Sequence, residues 1–400
     1  MQIIDSHVHI GLNEFFTGDG ESPLPFNLEN EFQTYFRLMR DSKIDKACAL
    51  PIPASNFDHA LSHHYLNEAF ERTDGKLLPV CRLDDFVANN ICSNFVAAKL
   101  HRVYDDIPLK QLRIYLKILA YYKKPLIFHA NFKDKVKQIE KLLEITPHLT
   151  IVLAHMGRGH IYTSEQVIDN LIGLQDKKNV FFETSTVGNS DTISKACEIV
   201  GSDRIMFGSD YPFGKIYLGK RYSYTDELDV INNAKISSVD KNNILFYTAQ
   251  KVFGERNTQH DVFVTLYQEM YKDDMNDLLK NMNQTDRTFL ALDKKISIIR
   301  SCMRKKSHIF VISAYGKFAG YMRESGRPNG VSLLEELVVL PRYRGEGFGR
   351  FALKFYKKMY PYNIAKTNSQ NIAMIKLLET EGYHGDDGKR IINWEFKNSQ

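Results

Sequence analysis

The sequence lacks several features that would restrict its class. No uninterrupted apolar segment is long enough to cross a membrane, and no basic-then-apolar leader separates Met1 from the first strand-like run. The cysteines are scattered without paired spacing, which argues against both a disulfide framework and a cysteine zinc site: Cys48, Cys81, Cys92, Cys197 and Cys302. We therefore expect a soluble, cytoplasmic protein with no membrane partner.

Length and charge set further limits. A chain of 400 residues with 43% hydrophobic content is large enough for two well-filled cores, so two domains are expected. Residues 1–257 carry 30 lysines and arginines against 32 acidic residues, whereas residues 258–400 carry 23 against 16. A basic segment suits nucleic acid or a phosphorylated cofactor. Because no basic stripe interleaved with aromatics is present, the cofactor is favoured and no nucleic acid is expected.

The first 257 residues alternate short β-rich runs with segments of helical period, as βα units do. Eight such units in about 250 residues predict a closed (β/α)8 TIM barrel, an α/β fold. An open, doubly wound sheet is the alternative, but the polar groups at the run ends would converge only in a closed sheet. The runs are 3–10, 46–53, 77–83, 96–103, 125–130, 150–156, 179–185 and 204–210.

Metal-competent side chains close four of these runs. His7 and His9 are two residues apart in a strand, so both point to one face and can chelate one ion. His129, His155 and Asp210 end three other runs. The carboxyl ends of barrel strands meet at one mouth, where active sites form. Imidazoles with a carboxylate suit Zn2+ or another divalent metal.

These motifs resemble the amidohydrolase superfamily, in its branch of small metal-dependent hydrolases and decarboxylases. The carriers are Asp5-Ser-His7-Val-His9, Lys99-Leu-His101, Phe128-His129, Ala154-His155-Met-Gly157 and Phe207-Gly-Ser-Asp210-Tyr-Pro212. The resemblance implies that His7, His9, His129 and Asp210 hold one metal ion. It also implies that His155 acts as a general acid/base and that Asp210 shuttles a proton. Hydrolysis of an amide, ester or lactone is expected, and decarboxylation stays open.

Lys99 ends the fourth run, where binuclear relatives carry a carbamylated lysine that bridges two ions. If Lys99 is modified, His155 becomes a ligand; if it is not, Lys99 binds an anionic group of the small-molecule substrate. Other polar groups near run ends are candidates for substrate contact or for barrel packing: Arg82, Arg158, Tyr162, Glu183 and Thr184.

Residues 262–400 predict a separate α+β domain. Helical patterns cover about 262–280 and 285–304. Strands are expected at 308–315, 317–324, 331–340, 363–367 and 390–396, with helices at 348–359 and 371–381.

In this domain a strand runs into three alternating glycines and then a helix, which leaves backbone amides facing an anion. The segment resembles the pyrophosphate-binding loop of the GNAT acyltransferases, here Arg344 to Gly349, and the later helix with Gly382-Tyr383 resembles that family's closing helix. The resemblance implies acetyl-CoA as cofactor. The residues expected to bind it are Val338, Val339, Arg344, Gly345, Glu346, Gly347, Phe348, Gly349, Arg350 and Asn371.

Acyl transfer to an amine also needs a base, and Glu335 and Glu336 are the best-placed carboxylates. Strand alternation predicts that only one of them faces the cofactor. Many members of the family have a tyrosine where this chain has Leu378, so the usual proton donor to the coenzyme A thiolate is missing. The sequence therefore predicts a bifunctional enzyme, with an acyl-CoA sensor as the alternative for the second domain. It leaves a homo-oligomer open.

Overall fold

The computed structural model forms two compact units, Met1–Thr258 and Gln259–Gln400. It describes residues 2–17, 31–54, 56–84, 94–103, 105–131, 133–158, 163–214, 224–254, 262–267, 271–289, 307–315, 317–327, 330–386 and 391–397. Among these residues no helix is both long and apolar enough to cross a membrane.

The first unit is built on eight strands that pair in chain order, every pair parallel. The amide of Ser6 donates to the carbonyl of Phe207 at 2.9 Å, and the amide of Asp210 donates to the carbonyl of His7 at 2.8 Å. These bonds join the first strand to the end of the last, so the sheet closes as a TIM barrel. The strands are β1 Ile4–His9, β2 Lys46–Leu50, β3 Leu77–Arg82, β4 Ala97–His101, β5 Leu126–His129, β6 Ile151–Leu153, β7 Val180–Glu183 and β8 Ile205–Met206.

Buried apolar side chains near the strand starts fill the barrel, as expected for parallel strands covered on both faces. Ile4, Val80, Ile127 and Val152 belong to one cluster of buried side chains. The polar residues follow them at the strand ends. The end of the barrel at the strand starts therefore stabilises the fold, and the end at the strand carboxyl termini is where an active site can form.

Helices surround the described part of the barrel, and side-chain caps fix several of their starts. Asp58 accepts from the amide of Leu61, and Ser237 with Asp240 forms a capping box. The helices are α1 Phe32–Asp41, α2 His59–Arg72, α3 Leu109–Tyr121, α4 Lys135–Ile145, α5 Ser164–Leu174, α6 Ser190–Val200, α7 Tyr224–Asn232, α8 Ser238–Asn242 and, after a π-helical turn at Asn243–Tyr247, α9 Thr248–Phe253.

The second unit is a mixed sheet with strand order β14-β15-β13-β12-β11-β10-β9, an α+β architecture consistent with the GNAT fold. All its neighbours are antiparallel except β12 and β13. The strands are β9 Val262–Leu266, β10 Ser307–Ala314, β11 Lys317–Gly326, β12 Ser332–Val339, β13 Tyr362–Asn368, β14 His384–Gly385 and β15 Ile391–Lys397. The helices are α10 Lys272–Asn281, α11 Gln284–Phe289, α12 Phe348–Met359 and α13 Ile372–Thr380.

One sequence prediction in this unit is wrong. A helix was expected over about 262–280, but Val262–Leu266 is a strand that pairs antiparallel with β10, and the helix begins only at Lys272. The run Val-Phe-Val-Thr-Leu is rich in β-branched and aromatic residues, which pack well on a sheet. Of the second expected helix, 285–304, residues 290–304 lie outside the described part of the chain.

The parallel pair β12 and β13 opens toward its carboxyl end. Its ladder covers only Ser332–Leu334 and Asn363–Ala365, although β12 continues to Val339 and β13 to Asn368. Because the strands separate there, a cavity of about 570 Å³ forms beside the end of β12, the glycine-rich turn and the start of α13.

Candidate active sites

His7 and His9 present their Nε2 atoms to each other at the end of β1, 3.2 Å apart. Nδ1 of His7 lies 2.9 Å from Oε2 of Glu183, and Nδ1 of His9 lies 2.7 Å from the carbonyl oxygen of Pro51. Both partners accept hydrogen bonds, which assigns the proton to Nδ1 and the lone pair to Nε2 on each ring. Burial lowers the pKa of both imidazoles, so the rings are neutral, the form that ligates a metal.

Asp210 completes a set of donors around these nitrogens. Its Oδ1 lies 3.4 Å from Nε2 of His9 and 3.7 Å from Nε2 of His7. His7, His155 and Asp210 each offer one ligand atom, and these atoms lie within 4.8 Å of one another. The group is buried and combines imidazole with carboxylate. It therefore fits a divalent ion of borderline character.

His155 lies against this group in a strained backbone. Its ring stacks on His7 with centroids 5.0 Å apart, and its Nδ1 lies 2.7 Å from Oγ of Ser185. His155 and Met156 have φ values of 56° and 49°, in the left-handed region that non-glycine residues rarely adopt. Each such residue costs of the order of 1–3 kcal/mol, and such strain concentrates at functional sites.

His129 is the last residue of β5, and its ring contacts the ring of His155. Its ring centroid lies 5.1 Å from that of His155 and 4.0 Å from that of His101, on which it stacks. The backbone amide of His101 donates to Asp105 at 2.6 Å, which fixes this strand end. His129 therefore lies between the ring of His155 and the ring of His101, and the hydrogen bond to Asp105 fixes the position of His101.

Lys99 lies inside the same group. Its Nζ is 3.2 Å from Nε2 of His7, and the residue is only 2% exposed. Burial lowers the pKa of this lysine, an effect that the charges of Asp210 and Glu183 partly offset, and burial raises the pKa of Glu183. An amine so placed can act as a cation toward substrate or, once carbamylated, as a metal ligand.

The other predicted contact residues have different surroundings. Arg82 is buried, and its Nε donates to Asp105 at 2.6 Å, so its guanidinium already has a carboxylate partner within the barrel.

Nε of Arg158 donates to Oγ1 of Thr186 at 2.5 Å, beside His155. Thr184 accepts from the amide of Gly208 at 3.3 Å, a packing contact. Tyr162 lies outside the described residues.

Two further residues, Asp5 and Ser185, bind the backbone and side chains around this centre. Asp5 is fully buried and accepts from the amides of His7 and Ser209 and from the hydroxyl of Tyr224. Burial raises its pKa to about 6. Ser185 donates to Oε2 of Glu183 at 2.9 Å and contacts His155. Asp5 belongs to the motif Asp5-Ser-His7-Val-His9, whereas no motif in the sequence marks Ser185.

The cavity of the second unit surrounds the glycine-rich turn. Gly345 and Gly347 have φ values of 86° and 87°, and a Cβ on either would meet no atom within 4 Å. Gly347 precedes α12, so the first amides of that helix face the cavity side of the turn. Of the predicted cofactor residues, Glu346 alone does not line the cavity. Those that do are Val338, Val339, Arg344, Gly345, Gly347, Phe348, Gly349, Arg350 and Asn371.

Arg344 and α13 shape the two sides of this cavity. Arg344 donates to the carbonyl of Val339 at 2.9 Å and to Asp286 of α11 at 2.8 Å. Asn371 caps α13 by accepting from the amide of Met374. Leu378 is fully buried, and α13 contributes Ile372, Ala373, Met374 and Leu377 to the lining. These four side chains carry no proton to donate.

A β-bulge lies at the two candidate glutamates of β12. Arg323 faces Glu336 and Glu324 faces Leu334, so Glu335 is an extra residue in β12. Both glutamates reach the Arg323 guanidinium, while buried and partly exposed residues still alternate along β12. Glu336 is 4% exposed and accepts from Tyr321 and Arg323, while Glu335 is 29% exposed and accepts from Ser325 and Arg323.

Comparison with known proteins gives a family for each unit. The family described as Amidohydrolase matches residues 93–254, and the Acetyltransferase (GNAT) family matches residues 267–383. No match to the curated proteins is found.

Solved structures similar to this chain support the barrel fold. One carries the name 2-pyrone-4,6-dicarboxylic acid hydrolase and comes from Pseudomonas putida, at 17% identity and TM-score 0.51, covering 63% of this chain and 97% of its own. Another is a probable hydrolase of the same kind from Acinetobacter baumannii with citric acid bound, at 15% identity and TM-score 0.53, covering 64% and 100%. A third, 5-carboxyvanillate decarboxylase from Novosphingobium aromaticivorans, was solved with manganese, at 14% identity and TM-score 0.50, covering 63% and 96%.

These low identities establish the fold alone. The two family matches, each within one unit, indicate an enzyme whose barrel is similar to the amidohydrolase family and whose second unit is similar to the GNAT acetyltransferase family.

Proposed function

We propose that the barrel is a metal-dependent hydrolase of an amide, ester or lactone bond in a small metabolite. The observation that carries the proposal is the convergence of buried Nε2 atoms of His7 and His9 with Oδ1 of Asp210. His129 at the end of β5 is the fourth proposed ligand, and zinc is the proposed ion. When bound, a divalent ion there supplies Lewis-acid chemistry: it polarises a carbonyl and acidifies water.

The chain's own residues handle the protons. Asp210 is the proposed proton shuttle, which takes a proton from the attacking water and passes it to the leaving group. His155, oriented by Ser185, is the proposed acid/base beside the substrate. Lys99 is the cation that would meet an anionic group on the substrate. If Lys99 carries a carboxyl group instead, His155 becomes a ligand, which agrees with its place among the three clustered donors.

A metal-dependent decarboxylase is the second candidate for the barrel. It is favoured by a fold that the chain shares with 5-carboxyvanillate decarboxylase, whose structure contains manganese. The two reactions differ in their products. Release of carbon dioxide from an aromatic acid by the metal-loaded chain would select decarboxylation, and a new acid group without carbon dioxide would select hydrolysis.

For the second unit we propose transfer of an acetyl group from acetyl-CoA to an amine. Support comes from the cavity around Gly345 and Gly347, whose open side can receive a pyrophosphate. Glu335 is the proposed base because it is the more exposed of the two carboxylates. Glu336, held by Tyr321 and Arg323, positions Arg323 and through it Glu335.

An acyl-CoA sensor is the alternative for this unit. It is favoured by the absence of a proton donor among the α13 side chains that line the cavity. Acetylation of any amine by acetyl-CoA, measured as release of the free coenzyme A thiol, would exclude a purely sensing role. If both units are catalytic, we infer consecutive steps on one metabolite: the barrel exposes an amine and the second unit acylates it.

The experiment that tests the proposal measures both activities on one preparation of the full chain. Metal-free and metal-reloaded protein are compared against a panel of lactones, esters and N-acyl compounds, and acetyl-CoA consumption is followed with amines in parallel. We expect metal to restore bond cleavage and to leave acetyl transfer unchanged. Cleavage that persists without metal would contradict the proposal for the barrel.

A further inference from the structure

The segment that carries Asp210 lies beyond the regular part of the last barrel strand. The pairing of β8 with β7 ends at Met206, and Asp210 follows with φ 56°, in the left-handed region. The amide of Asp210 donates to the carbonyl of His7 at 2.8 Å. The position of Asp210 beside β1 therefore depends on individual hydrogen bonds and not on a continuous ladder.

Asp5 joins the two chain segments that meet at this junction. Its Oδ1 accepts from the amide of His7 at 3.1 Å and from the amide of Ser209, the residue before Asp210, at 3.0 Å. A single oxygen thus connects the backbone at one proposed ligand to the backbone next to another. Asp5 is fully buried, so its carboxylate needs protein donors in place of water.

Two tyrosines on the surrounding helices hold the other oxygen of Asp5. The hydroxyl of Tyr224, the first residue of α7, donates to Oδ2 of Asp5 at 2.5 Å. The hydroxyl of Tyr35 on α1 bonds to that of Tyr224. Because Tyr224 gives its one proton to Asp5, Tyr35 is the donor in this second bond. Tyr224 is 4% exposed and Tyr35 is 0% exposed, so both hydroxyls are shielded from bulk water.

The ring of Tyr35 makes a separate contact with the same junction. Its centroid lies 5.0 Å from that of Tyr211, whose carbonyl accepts from the amide of His9 at 2.6 Å. A phenylalanine at position 35 would keep this ring contact and remove only the hydroxyl. One conservative change at each tyrosine therefore separates the role of the hydrogen bonds from that of packing.

We propose that Tyr35 and Tyr224 are positioning residues of the metal centre, which act through Asp5 to set the spacing between the ligand atoms on β1 and Oδ1 of Asp210. The inference rests on the proposed metal centre and adds to it two residues of the helical layer, outside the ligand set. Loss of the Tyr224 hydroxyl leaves an oxygen of a buried carboxylate without its donor. The backbone that Asp5 joins then relaxes, and the ligand atoms match the ion less well.

The test measures how the full chain, freed of metal, binds Co2+, whose visible absorption reports its coordination geometry. Tyr224→Phe, Tyr35→Phe and the double variant are compared with wild type. Tyr115→Phe is the matched control, because Tyr115 is a buried tyrosine of α3 whose hydroxyl bonds to Gln111 of the same helix. Denaturant unfolding of each metal-free protein measures the free energy of unfolding separately.

We expect Tyr224→Phe to bind Co2+ about tenfold more weakly than wild type and to shift the absorption bands, as for loss of an outer partner of a ligand. Tyr35→Phe should have a smaller effect. The double variant should match Tyr224→Phe, because the Tyr35 hydroxyl acts only through Tyr224. Tyr115→Phe should bind Co2+ with wild-type affinity and spectrum, whatever its loss of stability.

Three results would contradict this account. A Tyr224→Phe protein of lower stability, but with wild-type affinity and spectrum, would show a purely structural network and overturn the inference alone. Additive losses in the double variant would overturn the order in which Tyr35 acts through Tyr224. A wild-type chain that binds no Co2+ would contradict the proposed metal centre and, with it, this inference.

Discussion

Oε2 of Glu183 lies 2.9 Å from Nδ1 of His7, and the same oxygen accepts the backbone amide of His155 at 3.1 Å. One buried carboxylate thus orients two imidazoles of the candidate centre. Such partners fix the tautomer of a ligating histidine and raise its basicity.

Glu183→Gln should therefore weaken metal binding by about 10- to 100-fold while leaving the ligands in place. The dissociation constant is measured by competition with a chromophoric chelator. Glu165→Gln, an exposed glutamate on α5, is the matched control and should bind metal as wild type does. Equal affinities for the two variants would show that Glu183 does not position His7.

Much of the barrel could be predicted because its signals are local. Each of the eight runs ends within a few residues of an observed strand, and the polar groups follow as the pattern requires. The contacts of Asp5 and Ser185 could not be predicted, since they join strands that are distant in the sequence. The bulge at Glu335 depends on pairing with β11, which no pattern within β12 reveals. The hydrophobic periodicity of β9 is ambiguous because its run is only five residues long, and the β-branched and aromatic residues in it are the signal that favours a strand.

Glu335→Gln should lower the turnover number for acetyl transfer by about 100-fold or more, with a smaller change in KM for acetyl-CoA, because it removes the proposed base. Glu336→Gln should lower the turnover number less, because it acts only indirectly, by removing an ion pair that holds Arg323. Turnover is measured across a pH series, and the acidic limb of the profile should disappear in Glu335→Gln. Loss of that limb in Glu336→Gln alone would reverse the two roles.

Gly347→Ala should weaken coenzyme A binding beyond its effect on stability. A left-handed alanine costs about 1–2 kcal/mol, and its Cβ would point into the open cradle of the turn. Gly330→Ala is a matched control, because Gly330 has φ 78° and open space around its Cβ but does not line the cavity. The two variants should have similar losses in the free energy of unfolding. Only Gly347→Ala should bind coenzyme A more weakly, as measured by calorimetry. Similar affinities in both would place the pyrophosphate elsewhere.

The buried Glu381 should make the stability of the second unit dependent on pH. Burial alone would raise its pKa, but hydrogen bonds from Lys357 and Arg350 outweigh burial and hold the pKa below its ordinary value of 4.5. Because the folded pKa is depressed, the stabilisation is present above pH 4.5 and is lost as the pH falls through the folded value.

Glu381→Gln should lower the free energy of unfolding by about 1–3 kcal/mol at pH 7 and by progressively less below pH 4.5. Trp394 is the one tryptophan in the sequence and is buried in this unit, so denaturant unfolding followed by its fluorescence reports on this unit. Glu379→Gln, exposed on α13, should change little. A pH-independent difference for Glu381→Gln would exclude the ionised pairs as its cause.

The most direct test of the metal centre is elemental analysis of the purified chain, beside His9→Ala and the exposed His148→Ala, with the mass of the Lys99 peptide measured in parallel. We expect about one divalent ion per wild-type chain and per His148→Ala chain, little in His9→Ala, and an unmodified Lys99. Acetyl transfer should be equal in all three proteins. Two ions with an added carboxyl group on Lys99 would contradict the single-ion centre and make His155 a ligand. Equal metal in His9→Ala and wild type would contradict the centre altogether.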